Sequence, residues 1–143
     1  MPAVKDIMSK TVAAISINQT VFEAAELMNS KGISCVLIVD GDVPVGLITE
    51  RDIVGKIVAK KRSYDTEIND VMSKKLITID PDATLKEAAR LMSTNKIRRL
   101  PVLKNNKLVG IVSASDFVRN LSKKTLTEEI LDAMGRYPAE ASL

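Results

Sequence analysis

The chain has 143 residues and a net charge of +3, and its side chains are 45% hydrophobic but only 3% aromatic. This length suits one compact domain with an aliphatic core. The chain has no histidine and one cysteine, Cys35, which excludes a histidine-assisted nucleophile, an internal disulfide and a zinc site of Cys and His ligands. Cys35 lies in an apolar stretch, which predicts a small buried hydrophobe.

The N-terminal residues lack the apolar region that a signal peptide carries. No apolar run approaches the length of about 18 residues that a membrane-spanning helix needs. We therefore expect a cytoplasmic protein that does not enter the membrane.

The sequence repeats itself once. Residues 4–57 align without a gap on residues 68–121, at a constant offset of 64, and 16 of the 54 aligned pairs are identical. A unit of this size is marginal alone, so two copies that share a core are the more stable arrangement. We assign 1–66 to the first repeat with its linker, 67–124 to the second repeat, and 125–143 to a C-terminal helix and tail, all within one compact module.

The residue pattern of each copy predicts secondary-structure elements in the order βαββα, which indicates the α/β fold class. The first copy predicts an extended stretch, a helix, two strands and a second helix at 11–15, 21–30, 35–39, 43–48 and from Glu50. The second copy predicts the same elements at 76–79, 85–94, 100–103, 108–112 and from Ala114. Both first helices start with the capping-box pattern, Thr20 with Glu23 and Thr84 with Glu87. A short amphipathic helix is predicted at 125–134.

A hydroxyl residue ends the last strand of each copy, and an aspartate follows three residues later: Thr49 with Asp52, and Ser113 with Asp116. This spacing is that of an ordinary helix N-cap. It also suits nucleotide binding, because the hydroxyl and the helix start can bind an anion while the aspartate accepts hydrogen bonds from a ribose diol. Both interpretations remain open from the motif alone.

Arg98 and Arg99 come directly before a buried strand, where the first copy has the uncharged pair Ser34 and Cys35. Arginine suits paired contacts with phosphate oxygens, although a surface or dimer salt bridge explains the pair equally well. The surrounding segment, Lys86–Lys124, has ten basic and two acidic residues. This positive charge favours an anionic partner. The alternative interpretation is that the segment forms an ordinary solvated, lysine-rich face.

Taken in order and twice over, these motifs resemble a tandem pair of cystathionine-β-synthase (CBS) domains, the Bateman module. The resemblance rests on Asp-Ile/Val-Met-Ser-Lys at each start, Ala-Ala-x-Leu-Met in each first helix, Ile-Arg-Arg-Leu-Pro-Val in the second copy, and Gly-h-h-Thr/Ser-x-x-Asp, where h is apolar; it covers residues 4–121. It implies two repeats packed sheet to sheet about a pseudo-twofold axis, with two clefts for adenine nucleotides or S-adenosylmethionine. It also implies a homodimer.

The resemblance further implies the ligand-binding residues. Asp52 and Asp116 match ribose-binding aspartates, and Thr49, Ser113 and Ser115 match hydroxyls near phosphate or ribose. Arg51 lies within the first of these motifs and joins the set.

The basic and apolar members of the set follow from the same resemblance. Arg98 and Arg99 match phosphate-contacting residues in the γ subunit of AMP-activated protein kinase. The apolar and backbone contacts to adenine fall on Ala13, Ile33 and Ser34 for the Asp116 cleft, and on Ile77 and Ile97, beside Arg98, for the Asp52 cleft.

We therefore expect a non-enzymatic sensor of AMP, ADP or ATP, without a metal or other cofactor, that changes shape or binds a separate effector protein in response. Its basic second copy favours these ligands over cationic S-adenosylmethionine, which is one alternative. Another is an interaction module with vestigial clefts that binds protein or nucleic acid. The aromatic side chains that could stack on bases are scattered in the sequence, which weakens the nucleic-acid interpretation: Phe22, Tyr64, Phe117 and Tyr137. An enzyme is least supported, because no nucleophile-base pair or metal-ligand set stands out.

Overall fold

The computed structural model describes residues 2–120, with side chains through residue 119; the helix predicted at 125–134 lies outside this range. The described elements are α1 (Val4–Ile7), β1 (Ala14–Ser16), α2 (Val21–Lys31), β2 (Cys35–Asp40), β3 (Val43–Thr49), α3 (Glu50–Asp52), a π-helix (Ile53–Val58), a 3-10 helix (Ile68–Asp70), α4 (Leu85–Asn95), β4 (Arg99–Lys104), β5 (Lys107–Ser113) and α5 (Ala114–Asn120). These elements confirm the α/β class and the order of helices and hairpins in both copies.

The described chain forms two compact units. The first unit contains residues 12–76, and the second contains residues 2–11 together with 77–120. Each unit buries its own apolar cluster. The division predicted at residues 66 and 67 follows the sequence repeat, whereas the compact units exchange the segments that lead into the two copies.

In the first unit, β2 is the central strand of a three-stranded sheet. It pairs in parallel with β1 and antiparallel with β3. Val36, Leu37 and Ile38 are consecutive and all buried, which places apolar side chains on both faces of the strand, as the continuous apolar run predicted. Cys35 opens this strand and is only partly buried. The prediction that Cys35 is a fully buried hydrophobe is therefore wrong, because the first residue of the strand lies at the margin of the core.

In the second unit, β4 and β5 form a two-stranded antiparallel hairpin. The strand predicted at 76–79 is reduced to one parallel bridge, between Ile79 and Val102. The equivalent stretch of the first unit continues through a hydrogen bond from the Ile17 N–H to the Val39 carbonyl at 2.9 Å. Pro81 occupies the position equivalent to Ile17, and proline has no N–H to donate, so this strand cannot extend.

The segment that leads into each repeat, residues 3–9 in the first and 67–73 in the second, is here called its lead segment. Each lead segment pairs with elements of the other repeat, inside a single unit. In the second unit, Ala3 bridges Thr84 and Ser9 bridges Ile111. In the first unit, the residues at the equivalent positions form the same two bridges: Thr20 with Glu67 and Leu47 with Ser73. Because the two exchanges are equivalent, each unit is completed by a segment that the sequence assigns to the other copy.

The exchanged segments lie directly over two glycines. A Cβ placed on Gly110 would be 2.7 Å from the Ser9 carbonyl oxygen, and a Cβ on Gly46 would be 2.5 Å from the Ser73 carbonyl oxygen. These distances are shorter than any ordinary contact of a methyl group. Glycine is therefore needed at both positions to let a second backbone approach the strand.

An exposed cluster of ion pairs also joins the lead segment of the second unit, through Lys5, to Asp82. The Lys5 ammonium is 2.8 Å from one Asp82 carboxylate oxygen, and the Lys104 ammonium is 3.1 Å from the other. The hydrogen bond from Lys5, followed by that from Lys104, lowers the pKa of Asp82 below its usual value. The stability that this contact supplies is present above the pKa of Asp82 in the unfolded chain and is lost as pH falls through its lower folded value. Because the groups are exposed, we expect the contribution to be small.

The capping box predicted at the start of α2 is confirmed. The Thr20 hydroxyl accepts a hydrogen bond from the Glu23 N–H at 3.3 Å, and the Glu23 carboxylate accepts from the Thr20 N–H at 3.4 Å. The Gln19 amide donates to the same carboxylate at 2.7 Å. This bond from Gln19 is the main reason that the pKa of Glu23 lies below its ordinary value.

We expect Thr20→Ala to lower the free energy of unfolding by about 1 kcal/mol, the usual contribution of an N-cap side chain. The variant should also raise the pKa of Glu23 toward its ordinary value, because it removes the Thr20 hydroxyl, which donates a hydrogen bond to the carboxylate at 3.3 Å. Thermal unfolding and an NMR titration of Glu23 measure the two effects. Thr20→Ser keeps the hydroxyl and is the matched control. An Ala variant as stable as the Ser variant would show that the cap contributes nothing.

Candidate functional site

The hydroxyl-x-x-aspartate motif of the first unit forms a closed turn at the junction of β3 and α3. The Asp52 Oδ2 atom accepts hydrogen bonds from the Thr49 N–H at 2.9 Å and from the Thr49 hydroxyl at 3.1 Å. The Thr49 hydroxyl in turn accepts from the Asp52 N–H at 3.2 Å. The Asp52 Oδ1 atom forms an ion pair with the Lys56 ammonium at 3.1 Å. The helix-cap interpretation is therefore confirmed for this motif.

The second unit builds the same turn between β5 and α5. The Asp116 Oδ2 atom accepts from the Ser113 N–H at 2.7 Å and from the Ser113 hydroxyl at 3.1 Å. The Ser113 hydroxyl is also 2.9 Å from the Ser115 hydroxyl. The Arg119 guanidinium lies 3.8 Å from the Asp116 Oδ1 atom, which is a looser ion pair than that between Lys56 and Asp52.

The two turns differ in exposure. Asp116 is only 6% exposed and is the one charged residue classed as buried among residues 2–120, whereas Asp52 is partly buried. A carboxylate has about four acceptor positions, so the capping bonds to Oδ2 do not exhaust it. A hydroxyl pair, an anchored carboxylate and a helix start together form a small polar site in which Asp116 can accept further hydrogen bonds.

Arg99 lies beside this site. It is the direct cross-strand partner of Ser113, and directly paired side chains extend from the same face of the hairpin with Cβ atoms roughly 5 Å apart. The Arg99 Nη1 atom is buried, yet it has no hydrogen-bond partner within residues 2–120. A buried donor without a partner costs about 1–3 kcal/mol, so an acceptor at this position would stabilise the site.

Arg98 is held differently. Its backbone carbonyl accepts a hydrogen bond from the Ala114 N–H at 2.9 Å, and its side chain is exposed. In the first unit, the Ser34 carbonyl accepts from the Glu50 N–H at 3.0 Å in the same way. Cys35 occupies the position equivalent to Arg99 and pairs with Thr49. The first-unit turn therefore has no arginine at this position, which makes the two turns chemically different.

The remaining predicted residues are divided between the units. The first unit contains Ala13, Ile33, Ser34, Thr49, Arg51 and Asp52; the second contains Ile77, Ile97, Arg98, Arg99, Ser113, Ser115 and Asp116. Ala13 accepts a hydrogen bond from the Leu37 N–H through its carbonyl at 3.1 Å. The isoleucines at 33, 77 and 97 are half-buried against the core of their own unit. The assignment of residues from both copies to one ligand stays a prediction.

Sequence reasoning missed two cations, Lys56 and Arg119, that contact the aspartates of the turns. The signal was available, since basic residues three or four positions after an acidic residue lie on the same helix face.

The aromatic residues are less scattered than the sequence indicated. The Phe22 and Tyr64 rings are in contact, with centroids 5.4 Å apart, and both are exposed. The two residues are far apart in sequence, but the segment that contains Tyr64 passes over the start of α2. There the Phe22 N–H donates a hydrogen bond to the Tyr64 carbonyl. Phe117 is fully buried and cannot stack on a base, and Tyr137 lies outside the described residues.

Within residues 2–120 there is no group of three or more Cys, Asp or Glu side chains that could hold a metal ion. In the same range, no helix has the length and apolar character needed to cross a membrane.

Comparison with known proteins places the chain in a family. The CBS domain model matches the chain twice, at residues 4–59 and 68–123. The chain therefore belongs to the CBS domain family and is a tandem CBS pair. Its similarity to a CBS domain-containing protein of Bacillus subtilis, YhcV, is 40% identity over 120 residues, which cover 84% of this chain and 86% of the relative.

Solved structures show the same fold. Hypoxic Response Protein I, determined with two coordinated zinc ions, superimposes with a TM-score of 0.77 at 30% identity, over 85% of this chain and all of that one. The CBS domain pair of protein MJ0100, in complex with 5′-methylthioadenosine and S-adenosyl-L-methionine, superimposes with a TM-score of 0.73 at 32% identity, over 82% of this chain and 98% of that one. Both likenesses confirm the α/β CBS-pair fold that the sequence predicted.

Proposed function

We propose that this CBS pair is a non-enzymatic regulatory module that binds an adenosine-containing ligand at the Ser113–Asp116 turn, and that it prefers AMP, ADP or ATP to S-adenosylmethionine. The observation that carries the proposal is the position of Arg99, whose buried Nη1 atom lacks a hydrogen-bond partner within residues 2–120, directly beside Ser113. The relative MJ0100 binds two adenosine derivatives, which supports the ligand class.

The chemistry of the turn fits a nucleoside monophosphate or polyphosphate. Asp116 accepts hydrogen bonds from the ribose diol, and the hydroxyls of Ser113 and Ser115 donate to ribose or phosphate oxygens. Arg99 donates to a phosphate oxygen, which satisfies its buried nitrogen. In the assignment that the family resemblance provides, Ala13, Ile33 and Ser34 contact the adenine of this ligand.

Local charge supports a phosphate rather than a sulfonium. Within the described residues, the second unit has ten basic and five acidic side chains, whereas the first unit has eight basic and nine acidic side chains. The positive potential of the second unit favours an anion and disfavours the cationic sulfonium of S-adenosylmethionine.

The turn of the first unit is the weaker candidate. Thr49, Arg51 and Asp52 are present there, with Ile77 and Ile97 as the adenine contacts and Arg98 beside them in the family assignment. Cys35 replaces the arginine, however, and Lys56 already pairs with the aspartate at 3.1 Å. We propose that the two turns are not equivalent and that phosphate-bearing ligands favour the Asp116 turn. Ligand binding would then change the module's shape or its affinity for a separate effector protein in the cytoplasm, through a difference in ligand affinity between two states.

Calorimetric titration of nucleotide-free protein with AMP, ATP, GMP and S-adenosylmethionine tests the proposal. We expect Asp116→Ala to weaken adenylate binding about 10- to 100-fold, because removing a charged hydrogen-bond partner costs about 1.5–3 kcal/mol. Asp52→Ala is the matched control and should change the affinity much less. Asp116→Asn, which keeps the shape of the side chain, guards against loss of folding, and circular dichroism checks each variant.

Arg99→Met tests the phosphate contact separately. It should weaken AMP and ATP binding by about tenfold, because the phosphate contact is lost, and it should not weaken binding of the cationic S-adenosylmethionine. Unchanged adenylate affinity in Asp116→Ala contradicts the assignment of this turn. No binding of any of the four ligands to the intact protein would overturn the proposal and favour an interaction module whose turns are helix caps only.

A further inference from the structure

The ammonium group of Lys56 is held between two acceptors of the first unit. It lies 3.1 Å from the Asp52 Oδ1 atom and 3.0 Å from the backbone carbonyl oxygen of Val71. The Asp52 Oδ2 atom accepts both hydrogen bonds from Thr49, at 2.9 and 3.1 Å. Each oxygen of this carboxylate therefore has a partner within the unit, and the side chain of Asp52 is only 16% exposed.

The carbonyl that anchors Lys56 belongs to the lead segment of the second repeat. Val71 is buried in the core of the first unit. The segment is fixed to β3 two residues later, where Ser73 and Leu47 exchange backbone hydrogen bonds at 2.9 and 3.0 Å. An ion pair between exposed residues of one helix contributes little by itself. Because Lys56 also donates a charge-assisted hydrogen bond to a fixed carbonyl, its ammonium group is positioned in front of Oδ1.

The second unit has no lysine at this position. At the offset of 64 residues, Asn120 corresponds to Lys56. The cation that pairs with Asp116 is Arg119, which corresponds to Gly55. This ion pair is longer, at 3.8 Å, and the side chain of Arg119 is 65% exposed. The two turns therefore differ in how firmly a cation of the chain itself is held at the Oδ1 atom of the aspartate.

We propose that Lys56 closes the Asp52 turn to a ribose diol and so limits the CBS pair to one bound adenosine group per chain. The inference rests on the proposed function, in which an aspartate of this motif accepts hydrogen bonds from the diol. The Lys56 ammonium occupies the oxygen that Thr49 leaves for those bonds. An ammonium group has donors and no acceptor, so it competes with the diol for Oδ1. The absence of an arginine affects only the phosphate, whereas this lysine acts on every ligand that carries a ribose.

Replacing Lys56 by asparagine, the residue of the second unit, tests the inference. Adenosine is the probe, because it has the diol and the base but no phosphate, and calorimetric titration of the nucleotide-free full chain counts the sites. The original protein should bind a single adenosine per chain and Lys56→Asn should bind two, because the second carboxylate is then open to a diol. Lys56→Arg keeps the cation and should still bind one. Lys60→Asn removes the same charge from an exposed position four residues later, and this matched control should also bind one.

Adding Asp52→Ala to Lys56→Asn locates the site that is gained, since it should return the count to a single adenosine per chain. Three results would overturn the inference: an unchanged count in Lys56→Asn, two adenosines already bound by the original protein, or a gained site that survives Asp52→Ala. Failure of the proposed function has a different signature, because the original protein then binds no adenosine. In that case the inference stands only if Lys56→Asn gains a site that Asp52→Ala removes. The side chain of Lys56 is half-exposed, so the variants should fold, and thermal unfolding checks each one.

Discussion

Replacing Gly110 by alanine should lower the free energy of unfolding by about 3 kcal/mol, the upper end of the range for overpacking. The new methyl group would lie 2.7 Å from the Ser9 carbonyl oxygen and 2.7 Å from the Met8 sulfur. The sulfur belongs to a flexible side chain and can move. The carbonyl cannot move without cost, because it accepts a hydrogen bond from the Ile111 N–H at 2.9 Å, and the Ser9 N–H donates to the Ile111 carbonyl at 2.9 Å.

The lead segment must therefore lift away from β5 or the strand must bend. For a chain of this length, the loss corresponds to a fall of about 10 °C in the unfolding midpoint. Gly46→Ala should act in the same way in the first unit, since its methyl group would be 2.5 Å from the Ser73 carbonyl oxygen. Differential scanning calorimetry measures both.

Gly55→Ala is the matched control for these variants. A methyl group on Gly55 would have no neighbouring atom within 4 Å, and this glycine has no positive φ. Because Gly55 lies in a helical segment, alanine should be neutral there or stabilising by up to about 1 kcal/mol. If Gly110→Ala were as stable as Gly55→Ala, the close approach of the lead segment would be contradicted.

Truncating Phe117 to alanine should lower the free energy of unfolding by about 4 kcal/mol, which is typical of a buried aromatic residue. Phe117 is fully buried and belongs to the cluster that joins α1, α4 and the hairpin of the second unit. It also follows Asp116 directly, so a cavity behind α5 should loosen the turn that we propose as the ligand site. We therefore expect a measurable loss of adenylate affinity in addition to the loss of stability.

Ile53→Ala is the control at the equivalent position. Ile53 is only partly buried and borders a groove of about 300 Å³ beside α2. Its truncation removes less buried apolar area than that of Phe117, so the free energy of unfolding should fall by only about 1–2 kcal/mol. Urea unfolding of the two variants compares the costs directly. Equal losses of unfolding free energy would contradict the observed difference in burial between Phe117 and Ile53.

Much of the local structure could be predicted from residue patterns. The Thr20 cap and the order of helices and strands depend on interactions over a few residues, and these act in the folded chain as they do in a peptide. The strand predicted at 76–79 is the exception. Its residues are apolar enough for a strand, but Pro81 has no N–H to donate. This N–H matters only because the register with β4 would place it opposite a strand carbonyl, and the register is not evident from the sequence.

The candidate site was predictable in its residues but not in its arrangement. The spacing of Ser113 and Asp116 predicted both a cap and a ligand site, and the observed hydrogen bonds confirm the cap. No sequence signal indicated that an Arg99 nitrogen would lack a hydrogen-bond partner within residues 2–120, because its burial depends on the pairing of β4 with β5 and on the side chains around it.

The amino-acid sequence alone therefore established the twofold repeat, the α/β class, the family resemblance and the residues of the two turns, since all of these follow from residue type and spacing. Only the folded structure showed that each lead segment completes the unit of the other repeat, that Gly46 and Gly110 lie beneath those segments, and that Ile53 borders a groove where Phe117 fills the core. These features depend on register and volume where distant segments meet, and neither quantity is encoded by any short stretch of the chain.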